Sequence, residues 1–188
     1  MAHAEQRRFI ESVRRLRPGD FAQRRVLELG SRSINGSVRG LFQGCEYIGL
    51  DAVSGPLVDV VSPAHEFQDS RGFDVVISCE AFEHDPWLDR TLAALPRLLR
   101  SGLFVGTCAG PARAEHGTRR SSGETAIYGP EPDYYRNVGL EDLLDELVRC
   151  AAWERLHVEY GRSRRDLYWY GVLSSPAAGR SPTAAGPG

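Results

Sequence analysis

Apolar residues recur along this chain with two different periods. Over residues 4–17, Phe9, Val13 and Leu16 fall at i, i+4 and i+7, and Ile10 widens the stripe. That spacing predicts an amphipathic helix, which Pro18-Gly19-Asp20 ends. The pattern then shortens. Residues 25–30, 46–51, 57–61 and 73–78 read as strands, the last a continuous β-branched run of the kind found in a doubly covered parallel strand. After the Asn35-Gly36 turn signal, Val38, Leu41 and Phe42 predict a helix. Asp85 and Pro86 predict an N-cap and first helical position for a helix whose apolar face is Leu88, Leu92, Leu95 and Leu99. Pro96 is expected to kink or break it. Residues 103–107 read as a fifth strand and 109–138 as a lid-like segment rich in Gly, Pro, Arg and Ser. Leu140, Leu143, Leu144, Leu147, Val148 and Ala151 predict a further helix, and 154–160 and 167–174 two last strands.

Strands alternating with helices predict a doubly wound, Rossmann-like α/β domain over residues 1–174. Its seven-stranded sheet is expected to be mainly parallel, with helices on both faces. Residues 175–188, SPAAGRSPTAAGPG, have no apolar pattern and are expected to be a disordered tail.

The net charge of −2 and a pI of about 6.2 argue against a nucleic-acid partner. No apolar run approaches the length of a membrane span, and residues 1–20 show no secretory signal. All 23 basic residues are arginine, so Schiff-base, lysine-nucleophile and P-loop-lysine mechanisms are excluded. The cysteines, at 45, 79, 108 and 150, lack zinc spacing; reduced thiols in a cytoplasmic protein are expected.

In a doubly wound fold, ligands bind at the carboxyl ends of the strands. The first such end reads Glu28-Leu29-Gly30-Ser31-Arg32, and the glycine permits a tight backbone passage. The loop is expected to feed a helix whose free amides attract an anionic group. Asp51 ends the second strand and can accept hydrogen bonds from both hydroxyls of a ribose. Arg32 replaces the second glycine of a dinucleotide fingerprint, which disfavours a pyrophosphate and a nucleotide-dependent oxidoreductase. A rim of Glu28, Asp51 and Glu80 suits a cationic adenosyl ligand, S-adenosylmethionine, better than NAD.

The runs VLELGS (26–31), YIGLD (47–51), FDVVISCEAFEH (73–84) and GLFVGT (102–107) resemble a class I S-adenosylmethionine-dependent methyltransferase over residues 24–174. ELGS-x-x-x-NGSVR, VDVV-x-x-AHEF, EHDPW and Asp133-Tyr134-Tyr135-Arg136 are similar to a bacterial subgroup of small methyltransferases of the methyltransferase-11-like type. The resemblance implies that Glu28, Gly30 and Ser31 line the methionine and ribose part of the cofactor, with Asn35 and Gly36 near its carboxylate. It implies that Asp51 holds the ribose and that Ala52 or Val53 packs on adenine, with Ala64 and His65 at the adenine edge. Ser78, Cys79 and Glu80 face the methionine amine. Pro63 departs from the pattern: it stands where many members have an Asp, and it has no N–H to offer adenine.

Methyl transfer from a sulfonium needs orientation and, for a hydroxyl or weakly acidic N–H acceptor, a general base. His84 and His116 are the candidates; no metal is expected. Arg113, Arg119, Arg120 and Arg136, with Tyr128, Tyr134 and Tyr135, suit a small acidic or sugar-like acceptor, a natural-product intermediate among them. The open cleft leaves room for a second subunit to complete it as a homodimer. The competing readings are a non-catalytic methyltransferase-like binding module and a nucleic-acid or protein methyltransferase.

Overall fold

The computed structural model describes residues 4–122 and 128–173. Seven strands form one sheet in the order β3-β2-β1-β4-β5-β7-β6. They are β1 (Arg25–Leu29), β2 (Glu46–Asp51), β3 (Val60–Val61), β4 (Phe73–Cys79), β5 (Leu99–Ala109), β6 (Trp153–Tyr160) and β7 (Asp166–Leu173). The first five strands in that order are parallel. β7 runs antiparallel to both β5 and β6. The strand order reverses between β1 and β4, and a ligand crevice belongs at the carboxyl ends of these strands.

Alternation along each strand builds two cores. Val26, Val75, Ile77, Leu103 and Val105 face the helix α1 (Ala4–Leu16), which buries Phe9, Ile10 and Val13 against them. Leu27, Leu29, Val76 and Phe104 face the opposite side, where α2 (Leu88–Leu98) and α4 (Leu140–Cys150) bring Leu92, Leu95, Leu98, Leu143 and Leu147. Trp169 is fully buried there and stacks on Phe82 with ring centroids 5.1 Å apart.

Several expectations are corrected by local hydrogen bonding. Only a 3₁₀ turn, Arg39–Leu41, follows the β1 loop. Ser37 Oγ accepts from the Arg39 N–H, and Gln43 is drawn back into bonds with Phe21 and Gln23, so the chain leaves helical geometry after one turn. The helix amides expected to hold an anion are therefore not there. The third strand shrinks from 57–61 to Val60–Val61, because a turn closes with the Val58 N–H donating to Gly55 O and Asp59 uses its own carboxylate on the Gly49 N–H. α2 begins at Leu88, past Pro86. Asp85 still caps this bend, accepting from the Trp87 N–H at 2.8 Å and the Thr91 hydroxyl at 2.6 Å. Pro96 lies in the last turn of α2, and the helix stops two residues later and runs straight into β5, which is longer at both ends than expected. Among the described residues of the lid-like segment a single helical turn, α3 (Arg119–Ser122), forms. The 175–188 tail lies outside the described residues. No helix among the described residues is long and apolar enough to cross a membrane.

Candidate functional site

A cleft of about 380 Å³ opens at the carboxyl ends of β1, β2 and β4. Gly30 makes its floor. With φ +75°, Gly30 turns the chain off β1, and a Cβ there would lie 2.2 Å from the Ala81 Cβ. The loop is pinned by the Gly30 and Ser31 N–H groups, which both donate to Leu50 O, at 2.8 and 3.1 Å.

Asp51 stands beside this loop and is nearly buried. Its Oδ2 accepts from the Arg32 N–H at 3.1 Å and its Oδ1 from the Val53 N–H at 2.9 Å. The carboxylate is thereby fixed in orientation on the cleft wall, with lone pairs on both oxygens still available. Burial raises its pKa, and the two backbone N–H groups partly counter that. Leu50, Ala52, Pro63, Ala64 and Trp87 give the neighbouring wall an apolar surface.

Of the residues expected from sequence, Gly30, Asn35, Asp51, Ala52, Ala64, Glu80, His84 and His116 line this cleft. Glu28, Ser31, Gly36 and Cys79 surround a narrow recess behind the Gly30 loop instead. Val53, His65 and Ser78 line neither. Ser78 is fully buried and ties β4 to β1 through its hydroxyl, which donates to Leu29 O at 3.1 Å. The His65 ring packs against Trp87 at 5.1 Å between centroids. Arg113, which the sequence offers as an acceptor contact, also lines the cleft, and Trp87 and Asp85 join the wall without a sequence signal for ligand contact.

The rim of three carboxylates is thus reduced to two. Glu28 shares its strand face with Val26, and Tyr47 donates its hydroxyl to Glu28 Oε2 at 2.9 Å. Burial pushes the Glu28 carboxyl up to about 7, the Tyr47 hydrogen bond and Arg39 opposing the shift and Asp51 adding to it. Folded chains hold this proton up to about pH 7, while unfolded chains lose it near 4.5. The resulting stability is full below 4.5 and is lost as pH rises to 7. At about 1.4 kcal/mol per tenfold in proton affinity, the loss is on the order of 3 kcal/mol. Glu28→Gln stays neutral throughout. Its stability relative to the parent should therefore rise by that amount between pH 4.5 and 8 in thermal unfolding, and a pH-independent difference would refute the assignment.

Glu80 occupies the turn after β4 in the left-handed region, φ +54°. Its N–H donates to Thr107 O at 2.8 Å, and its Oε1 accepts from the Thr107 hydroxyl at 3.3 Å. Such strain in a non-glycine residue is characteristic of sites where geometry is over-determined. Arg113 reaches down from the lid-like segment, pairs with Asp166 at 2.8 Å and approaches Glu80 Oε2 at 3.7 Å.

At the far end of the cleft the two candidate bases meet. The His84 and His116 ring centroids are 5.1 Å apart, edge to face. Tyr128 flanks both rings, 5.5 and 6.1 Å away. Glu83 was not expected here. It is fully buried, and its Oε1 lies 3.7 Å from His116 Nε2. Burial, with the charge of Glu80 nearby, raises the Glu83 pKa well above the carboxylate range. Burial and the neighbouring His116 lower His84 to about 3, and burial lowers His116 as well.

No protein-family model and no curated protein matches the sequence. Solved structures do match. The 1,6-didemethyltoxoflavin-N1-methyltransferase of Burkholderia thailandensis, in complex with 1,6-didemethyltoxoflavin and S-adenosylhomocysteine, superposes with a TM-score of 0.62 at 16% identity, over 89% of this chain and 78% of its own. A S-adenosylmethionine-dependent methyltransferase of Clostridium acetobutylicum gives 0.61 at 11% identity, over 93% of both chains. Phosphoethanolamine N-methyltransferase 2 of Haemonchus contortus, in complex with phosphomonomethylethanolamine and S-adenosylhomocysteine, gives 0.60 at 16% identity, over 89% of this chain and 52% of its own. This chain has the fold of the class I S-adenosylmethionine-dependent methyltransferases.

Proposed function

We propose that this chain, with that fold, is a S-adenosylmethionine-dependent methyltransferase acting on an oxygen or nitrogen atom of a small molecule. The observation that carries the reading is Asp51: a fixed, nearly buried carboxylate on a cleft wall, beside a glycine-turned loop. That is the arrangement that accepts a vicinal diol of a nucleoside.

The residues present fit such a ligand. The cleft volume falls within the range of small-molecule sites. Asp51 would take the ribose hydroxyls, and Leu50, Ala52 and Ala64 would cover a flat base. Glu80 would face the ammonium. Pro63 contributes surface and no N–H at the base edge. When bound, the sulfonium supplies an electrophilic methyl carbon together with its leaving group.

The chain's own part is orientation and exclusion of water. Arg113, paired with Asp166, draws the segment after β5 over the cleft, and this segment brings His116 and Tyr128 to its far end. As a free side chain, His116 is the better proton acceptor there, because His84 is held near 3. The small acceptor is supported by that covering segment, by the net charge of −2 and by the two small-molecule N-methyltransferases with this fold. Four free cysteines match a reducing compartment, which supports the cytoplasm as its location.

Calorimetric titration of the full chain with S-adenosylmethionine and S-adenosylhomocysteine tests the proposal. Micromolar binding of both is expected. No binding at millimolar ligand would remove the methyltransferase reading and leave a module that binds something else.

A further inference from the structure

The corner of the cleft formed by Glu83, His84 and His116 gathers a buried carboxylate and two imidazoles. Glu83 is 0% exposed, and neither of its carboxylate oxygens accepts a hydrogen bond from the described residues. The backbone N–H groups of Glu83 and Ala109 ease its charge from outside hydrogen-bond geometry. His84 is 4% exposed, and both its ring nitrogens are without partners among the described residues. Buried polar atoms of this kind are costly to a fold when nothing satisfies them. Two such side chains beside the His116 ring call for a common partner.

His116 shows what that partner is. Its Nδ1 lies 3.1 Å from Ala114 O. In that hydrogen bond Nδ1 carries the proton, and Nε2 is left as a lone-pair donor facing Glu83 Oε1 at 3.7 Å. An imidazole anchored through one nitrogen to a backbone carbonyl and open at the other is how metal-binding histidines are held. One donor atom from each of Glu83, His84 and His116 lies within 4.8 Å of the others. A tetrahedral ion with bonds of about 2.1 Å places its donors about 3.4 Å apart, so small side-chain rotations close the set. We infer that Glu83, His84 and His116 bind one divalent transition-metal ion, with two imidazoles and one carboxylate as its protein ligands.

This donor set suits Zn²⁺ or Fe²⁺ and leaves coordination positions open. His84 and His116 line the cleft and Glu83 lies behind them, so the open positions face the cleft. The ion's use rests on the methyl-transfer reading: it would hold an acceptor oxygen or nitrogen and lower the pKa of its proton. The ion site itself does not depend on that reading.

The test uses the full chain, stripped with a chelator and titrated with Zn²⁺ and Co²⁺. One equivalent should bind at micromolar affinity or tighter, and Co²⁺ should show d–d absorption. His116→Ala, on the covering segment, and the near-isosteric Glu83→Gln should each weaken binding at least tenfold while the fold persists by circular dichroism. Two results would overturn the proposal: no binding at millimolar metal, or binding unchanged in both variants, which places the ion on other side chains. Titrating S-adenosylhomocysteine into the same samples separates the two readings. Uptake of the ion without the cofactor product keeps the site and removes its role in methyl transfer. Uptake of the product without the ion does the reverse.

Discussion

Asp51→Ala should weaken S-adenosylhomocysteine binding at least tenfold, about 1.4 kcal/mol or more. The carboxylate oxygens are already oriented by the Arg32 and Val53 N–H groups, so little freedom is lost when a diol arrives. Each hydroxyl donated to a charged acceptor is worth about 1.5–3 kcal/mol. Alanine removes both acceptors. Asparagine keeps one oxygen and replaces the other with an N–H₂ group that cannot accept, so Asp51→Asn should fall between parent and Asp51→Ala. The two backbone N–H groups freed by alanine lie beside an open cleft where water can reach them, and the stability cost should stay near 1 kcal/mol. Calorimetric affinity and thermal unfolding on the same preparations distinguish the effects. Unchanged affinity in Asp51→Ala would mean that this carboxylate does not face the ligand.

How far the sequence announces this structure depends on the range of the interaction. β4 is legible because FDVVISC is apolar on both faces, and the structure buries both. Asp51 is legible because a carboxylate closing an apolar run must emerge at the strand end. The β1 loop deceives, since Val38, Leu41 and Phe42 have helical spacing and are all buried, yet burial is reached through one 3₁₀ turn and a return to Phe21. Apolar spacing reports which residues go inside and leaves open which backbone takes them there. Glu28 deceives differently. Its position beside the glycine is correct, but period-two alternation puts it on the face of Val26 and away from Leu27 and Leu29. The alternation along β1 overrides the proximity of Gly30 in sequence. Glu83 was not legible as a partner of His116, because they come from opposite sides of β5. Only the pairing of β5 between β4 and β7 places them together.

Gly30→Ala should destabilise the chain by on the order of 3 kcal/mol, for two separable reasons. An L residue at φ +75° costs about 1–2 kcal/mol in the left-handed region. The new methyl must also find room 2.2 Å from the Ala81 Cβ, and overpacking of this kind costs about 1–3 kcal/mol. For a chain of this length the melting temperature should fall by roughly 6–12 °C. The contributions part in a double-mutant cycle. Ala81→Gly alone frees a turn residue and costs about 1 kcal/mol. Combined with Gly30→Ala it removes the colliding atom and leaves the backbone strain, so the double variant should be more stable than the sum of the singles by about 1–3 kcal/mol. Additive effects would show that strain at φ +75° is the whole reason for glycine and that Ala81 does not restrict the loop. A positive coupling has a functional corollary: Gly30 and Ala81 both line the cleft, so Gly30→Ala must push either the β1 loop or the turn after β4 into the space beside Asp51. S-adenosylhomocysteine affinity should then drop with stability in Gly30→Ala and recover in part in the double variant.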